Sequence, residues 1–144
     1  MIEIVKTSNK TWEDEILARL KAYNRKMCTW LREQGNQSTN AVNFFAIEDN
    51  NLYGGAVGHV EYGWYMLDLL WVDESCRGKN VGTSLLQRIE DYTQKSNLVG
   101  IRLETWDFQA RGFYEKQGFV VFGELNDCPP GATVYFMKKQ TNLA

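Results

Sequence analysis

The sequence predicts a layered α/β (α+β) domain in which helices flank a mixed, mostly antiparallel central sheet. Three observations predict it. Residues 42–47, 52–60 and 65–72 read as successive strands, joined by the turn signals Asp49-Asn50-Asn51 and Tyr62-Gly63-Trp64, which is the pattern of an antiparallel meander. Val81, Leu85, Leu86, Ile89 and Tyr92 then fall at helical spacing, so a helix over 82–96 follows the third strand. A strand over 99–105, a short helix over 108–117 and two strands over 119–122 and 133–138 complete the order strands, helix, strand, helix, strands. That order folds around one sheet, and 144 residues suit a single domain, 1–144, with one core.

The remaining elements follow from local signals. Residues 2–5 alternate enough for a short first strand. Thr11 stands as an N-cap, with Asp14 in the capping-box position, before the stripe Trp12, Ile16, Leu17, Leu20, Tyr23 and Met27. That stripe is expected in the core, with Tyr23 and Asn24, late in the helix, placed to reach a cleft. Residues 35–43 are polar and carry three asparagines, so they read as a loop. Gly118 stops the short helix, and the hairpin over 123–131 carries both prolines.

Composition narrows the function. Apolar residues make up 44% and aromatic residues 13%, which is a globular rather than a disordered composition. The net charge is −2, with a pI near 5.5, so the basic field that nucleic acid requires is absent. No run of roughly 18 apolar residues occurs and no signal-peptide pattern is visible, so a soluble cytoplasmic protein with no membrane partner is expected. Cys28, Cys76 and Cys128 are odd in number and lack metal-ligand spacing, which favours reduced thiols. His59, the one histidine, has no Cys or His neighbour, so no metal is expected and it reads as a half-buried strand residue.

The most informative stretch is Val72-Asp73-Glu74-Ser75-Cys76-Arg77-Gly78-Lys79-Asn80-Val81-Gly82, a strand end, a tight basic loop and a helix start. Such an arrangement aims backbone N–H groups and the positive end of a helix at one point, where a phosphate or pyrophosphate is held. Arg77 and Lys79 add charge there, and Asn80 tolerates left-handed backbone angles. Taken alone, the loop is equally an ordinary basic turn that caps a helix. It is not the P-loop of nucleotide hydrolases, because no Gly-Lys-Ser/Thr follows its glycines.

Two segments together resemble the GNAT superfamily of acetyl-CoA-dependent N-acetyltransferases. Arg77-Gly78-Lys79-Asn80-Val81-Gly82 resembles that family's pyrophosphate loop, Arg/Gln-x-x-Gly-x-Gly/Ala. Asp107-Phe108-Gln109-Ala110-Arg111-Gly112-Phe113-Tyr114-Glu115-Lys116-Gln117-Gly118-Phe119 resembles its Asn-x-x-Ala-x-x-Phe/Leu-Tyr-x-x-x-Gly-Phe segment. Asn80 stands where the family has its middle glycine, and Asp107 where it has asparagine. The strand order matches as well, so the resemblance covers nearly the whole chain.

The resemblance implies acetyl transfer from acetyl-CoA to a primary amine, without a metal. It implies coenzyme contacts from Leu70, Trp71, Val72, Arg77, Gly78, Lys79, Asn80, Val81, Gly82, Thr83, Asp107, Ala110, Phe113 and Tyr114. The splayed end of the 65–72 strand would present N–H groups to the thioester carbonyl. Tyr114 corresponds to the family's tyrosine near the coenzyme sulfur, where a hydrogen bond to the departing thiolate suffices. Asp68 and Glu104 are the nearest carboxylates for the general base, alongside proton loss through water. Alternation puts Asp68, Leu70 and Val72 on one face. The acceptor, a small-molecule amine or a peptide, would lie between the first helices and the late hairpin, lined by Tyr23, Asn24, Trp30, Tyr62, Trp64, Trp106 and Phe108. Homodimers are common for this fold. A catalytically silent acyl-CoA-binding module and a nucleotide-phosphate binder are the competing readings.

Overall fold

The computed structural model describes residues 1–34 and 40–142, which divide into two compact units, Met1–Ser38 and Thr39–Ala144. The first unit holds α1 (Lys10–Met27) and α2 (Thr29–Gln34). Residues 1–9 form no strand. A strand exists only where a neighbour takes up its N–H and C=O groups, and no pairing among the described residues reaches this segment. Helix α1 begins before Thr11: the Asn9 side chain accepts the Trp12 N–H at 3.1 Å. Asn is the stronger cap, so Thr11 falls inside the first turn, and Asp14 pairs with Lys10 rather than closing a capping box. Within the first unit by itself, α1 buries none of the stripe expected in the core, with Ile16 at 67% exposure.

The second unit is built on a seven-stranded sheet of order β1-β3-β4-β5-β7-β6, with β2 also paired to β3. Its strands are β1 (Asn40–Ala41), β2 (Phe44–Glu48), β3 (Asn51–Glu61), β4 (Trp64–Val72), β5 (Gly100–Trp106), β6 (Val120–Asn126) and β7 (Thr133–Gln140). The expected loop over 35–43 therefore holds β1, while 35–39 lie outside the described residues. Among the described residues only the β4–β5 pair is parallel; the other pairs are antiparallel. The two expected turns close hairpins because Asp49, Asn50, Tyr62 and Gly63 all take positive φ, the backbone hand that matches strand twist.

Helix α3 (Val81–Lys95) lies across β2–β5 and buries Leu85, Leu86 and Ile89 against Tyr65, Leu67, Ile101 and Met137. Helix α4 (Arg111–Lys116) starts later than expected. Gln109 Oε1 accepts the Trp106 N–H at 2.9 Å and holds the preceding residues in a tight turn. Strand β6 runs on through Asn126, because residues 123–126 pair with β7, so the final hairpin loop is shorter than 123–131. Among the described residues no helix is long and apolar enough to cross a membrane.

Candidate active site

Strand β4 changes character at Leu67. Tyr65, Met66 and Leu67 pair with Ile101, Arg102 and Leu103 of β5 on one side and with β3 on the other. Beyond Leu67 the β5 pairing stops, and β4 continues to Val72↔Gly54 on β3 alone. The edge of residues 68–72 that faces away from β3 thus carries backbone groups with no strand partner among the described residues. At the same point the β3 register slips from Gly58↔Leu67 to Val57↔Leu69, which makes Asp68 an inserted bulge residue.

That bulge corrects the expected alternation. An inserted residue moves everything after it to the opposite face. Leu70 and Val72 therefore join Tyr65 and Leu67 against the core, whereas Asp68 turns to the other face and meets His59. Trp71, next along the free edge, is 53% exposed.

The loop after β4 is ordered by short contacts. Asp73 Oδ2 accepts the Ser75 N–H at 3.0 Å and also the Ser75 hydroxyl, capping one 3-10 turn, Glu74–Cys76. These bonds hold the Asp73 carboxyl below its usual pKa. Cys76 is buried, and Arg77 lies 3.8 Å from Glu74 with its guanidinium largely in solvent. Gly78 has φ +80 with open space around it, so backbone hand rather than crowding calls for glycine. Asn80 takes the left-handed angles expected of it, φ 58 and ψ 29, and caps α3 with no side-chain hydrogen bond. The first helical bond is Ser84 N–H to Asn80 O, at 2.9 Å. The N–H groups of Val81, Gly82 and Thr83 are therefore left at the open helix end. Lys79 lies at an open groove beside β2, together with Arg88.

Helix α4 backs onto this end. A Cβ at Gly82 would come within 3.1 Å of the Phe113 ring. Gln117 donates to Thr83 Oγ1 at 3.1 Å, and the Ala110 N–H reaches Thr105 Oγ1 at 3.5 Å. Tyr114 is 7% exposed, edge-on to Phe113 and Phe119 at 5.4 and 5.6 Å. Its hydroxyl bonds to no described residue, and burial pushes its pKa up to about 12. It remains protonated through the neutral range and is free to donate.

The two candidate carboxylates differ. Glu104 is exposed on β5, opposite Phe136, and makes no ion pair or hydrogen bond among the described residues. Asp68 Oδ2 lies 2.7 Å from His59 Nδ1, and His59 Nε2 lies 3.1 Å from Glu61. His59 is half-buried, as expected, and the Asp68 contact is the main cause of its raised pKa. No group of three or more His, Cys, Asp or Glu among the described residues is arranged to hold a metal ion.

The expected acceptor residues do not all gather at one end. Trp106 and Phe108 stack at 5.8 Å with an 8° interplanar angle, and the Trp106 indole N–H donates to Cys128 O at 2.6 Å. The parallel register places them level with the free end of β4. Trp64 starts β4 opposite Glu61, on the order of 20 Å away along the strand, and Tyr62 lies beyond it in the turn. Asp107, expected to touch the coenzyme arm, accepts the Thr133 N–H at 3.2 Å and ties β5 to β7. Tyr23, Asn24 and Trp30 belong to the helices of the first unit. Sequence reasoning missed Gln109 and Gln117 as struts and His59 as a bridge. The spacing of His59 and Glu61 on one strand face was visible, but that Asp68 lies beside them depends on how β3 pairs with β4.

Comparison with known proteins agrees with this geometry. The sequence profile of the acetyltransferase (GNAT) family matches residues 4–119. A blasticidin-S acetyltransferase of Streptomyces morookaense is 42% identical over 94 residues, 65% of this chain and 69% of that protein. An acetyltransferase of Agrobacterium fabrum is 32% identical over 93 residues, 65% of this chain and 68% of that one. The crystal structure of an acetyltransferase from Bacillus cereus superposes with a TM-score of 0.82 at 27% identity, covering 96% of this chain and 97% of that one.

Proposed function

Because the chain belongs to the acetyltransferase (GNAT) family, we propose that it moves the acetyl group of acetyl-CoA to a primary amine of a small molecule, by direct attack in a ternary complex. One observation carries the reading. The free edge of β4, the open N-terminus of α3 and the unpartnered Tyr114 hydroxyl stand at the same end of the sheet. The first suits an extended amide-bearing arm, the second a pyrophosphate, and the third a leaving sulfur.

The chemistry follows from these groups. The amine sheds its proton to water, with Glu104 as the carboxylate free to receive it. Asp68 suits that role less, since its oxygen is already engaged by His59. Nitrogen then attacks the thioester carbon, and the oxyanion that forms is met by N–H groups of the free β4 edge. As the C–S bond breaks, the electron pair passes to sulfur. A simple thiol has a pKa of about 8.5, well below the value of about 12 for Tyr114. Tyr114 therefore donates a hydrogen bond to the thiolate. The nitrogen, cationic once its bond to carbon has formed, gives up its second proton to solvent as the amide forms, and the thiolate takes one proton back from solvent. Holding both substrates together supplies much of the remaining acceleration.

The acceptor stacks against Trp106 and Phe108, and the blasticidin-S relative favours a small antibiotic-like amine. The test is thiol release from acetyl-CoA, with blasticidin S first among a panel of amines, and acetyl-CoA binding measured in parallel. Turnover that falls in Tyr114→Phe while acetyl-CoA binding persists supports the reading. A protein that does not bind acetyl-CoA, or a Tyr114→Phe variant with unchanged kcat, contradicts it. Binding with no turnover on any amine points to a silent acyl-CoA module.

A further inference from the structure

Both ring nitrogens of His59 face carboxylate oxygens, Asp68 at 2.7 Å and Glu61 at 3.1 Å. A neutral imidazole has one N–H and one lone pair, so it satisfies only one of these contacts, and the other sets a lone pair against an oxygen. Both are favourable only in the imidazolium. The groups facing His59 are Glu61 on its own strand, Asp68 on β4, and Arg102 on β5, which reaches Glu61 at 3.6 Å. Strand β1 brings only uncharged residues, with Ala41 opposite His59. The raised pKa of His59 agrees with this surrounding.

Asp68 is also the inserted residue of the bulge at which β4 leaves β5. A bulge residue has no ladder partner of its own, so a side-chain tie is what fixes it. A one-residue slip there would turn Leu70 and Val72 off the core and reverse the free edge.

We propose that His59 is a positioning residue which, by bridging Asp68 and Glu61, pins the Asp68 bulge and so sets the strand end that receives the thioester. The inference rests on the acetyl-transfer reading. It couples coenzyme binding to the protonation of a side chain on the opposite face of the sheet. As pH rises through the raised pKa of His59, one of the two contacts is lost and the bulge loosens.

His59 is the only histidine of the chain, so its imidazole signals in NMR are unambiguous. We expect its titration midpoint in the wild type to lie above 6.5, to fall in Asp68→Asn, and to move on saturation with acetyl-CoA. His59→Leu should raise the KM for acetyl-CoA several-fold and remove the alkaline loss of coenzyme affinity. His59→Gln, which keeps a donor for Asp68, should recover part of it, with the amine KM unmoved in both. A His59 midpoint indifferent to Asp68→Asn and to acetyl-CoA overturns the inference even if the leucine variant does not fold. So does a folded His59→Leu with unchanged KM and pH profile. Wild type that binds no acetyl-CoA defeats the acetyl-transfer reading itself, and this inference with it.

Discussion

The two halves of β4 are one strand under two regimes. Tyr65 and Leu67 are locked between β3 and β5 and are 0% and 3% exposed. Residues 68–72 keep only β3, and Leu69 and Trp71 there are 64% and 53% exposed. The closed half holds the fold; Tyr65 also donates to Val42 O at 2.7 Å and leaves Gly58 no room for a side chain. The open half leaves backbone groups for a ligand. On the proposed function, binding capacity comes from withheld strand pairing rather than from an unusual side chain.

Substitutions in the two halves should therefore separate stability from activity. Leu67→Ala should cost about 2–5 kcal/mol of stability, read by chemical denaturation, with acetyl-CoA affinity preserved in the folded fraction. Tyr114→Phe should do the reverse. Its hydroxyl makes no protein bond, so stability should change by less than about 1.5 kcal/mol, while kcat falls on the order of 100-fold in steady-state assays. Glu104→Gln should lower kcat by about tenfold near neutral pH, and the deficit should shrink as pH rises and free amine becomes abundant. Gly78→Ala, forced into φ +80, should cost roughly 1–2 kcal/mol in strain and weaken acetyl-CoA binding measured by calorimetry.

The smallest effect concerns His59. Its pKa in the folded state is raised above 6.5, chiefly by Asp68. The stability it contributes is thus fully present below pH 6.5 and is lost as pH rises through the folded value. Denaturation midpoints should decline slightly over that window in the wild type and stay flat in His59→Leu.

Much of this was legible in the sequence, and the reasons are particular. The meander was readable because Asp49-Asn50 and Tyr62-Gly63 supply the backbone hand that its turns need. The open end of α3 was readable because Asn80 is among the few side-chain-bearing residues at ease in the left-handed region. Tyr114 came from the second motif. What stayed hidden depends on partners remote in sequence. The Asp68 bulge is a property of the β3–β4 register, so alternation along β4 alone put its side chain on the wrong face. The His59 bridge depends on that register too. Residues 2–5 looked like a strand, but pattern cannot supply a neighbour. Trp64 and Trp106 looked like one lining until the parallel register set them far apart.

The claim that coenzyme occupies the open half of β4 is tested most directly by backbone amide NMR during an acetyl-CoA titration. The account predicts shifts concentrated at residues 68–72 and 78–83, with residues 64–67 nearly silent. Saturable binding that leaves 68–72 unperturbed would contradict it.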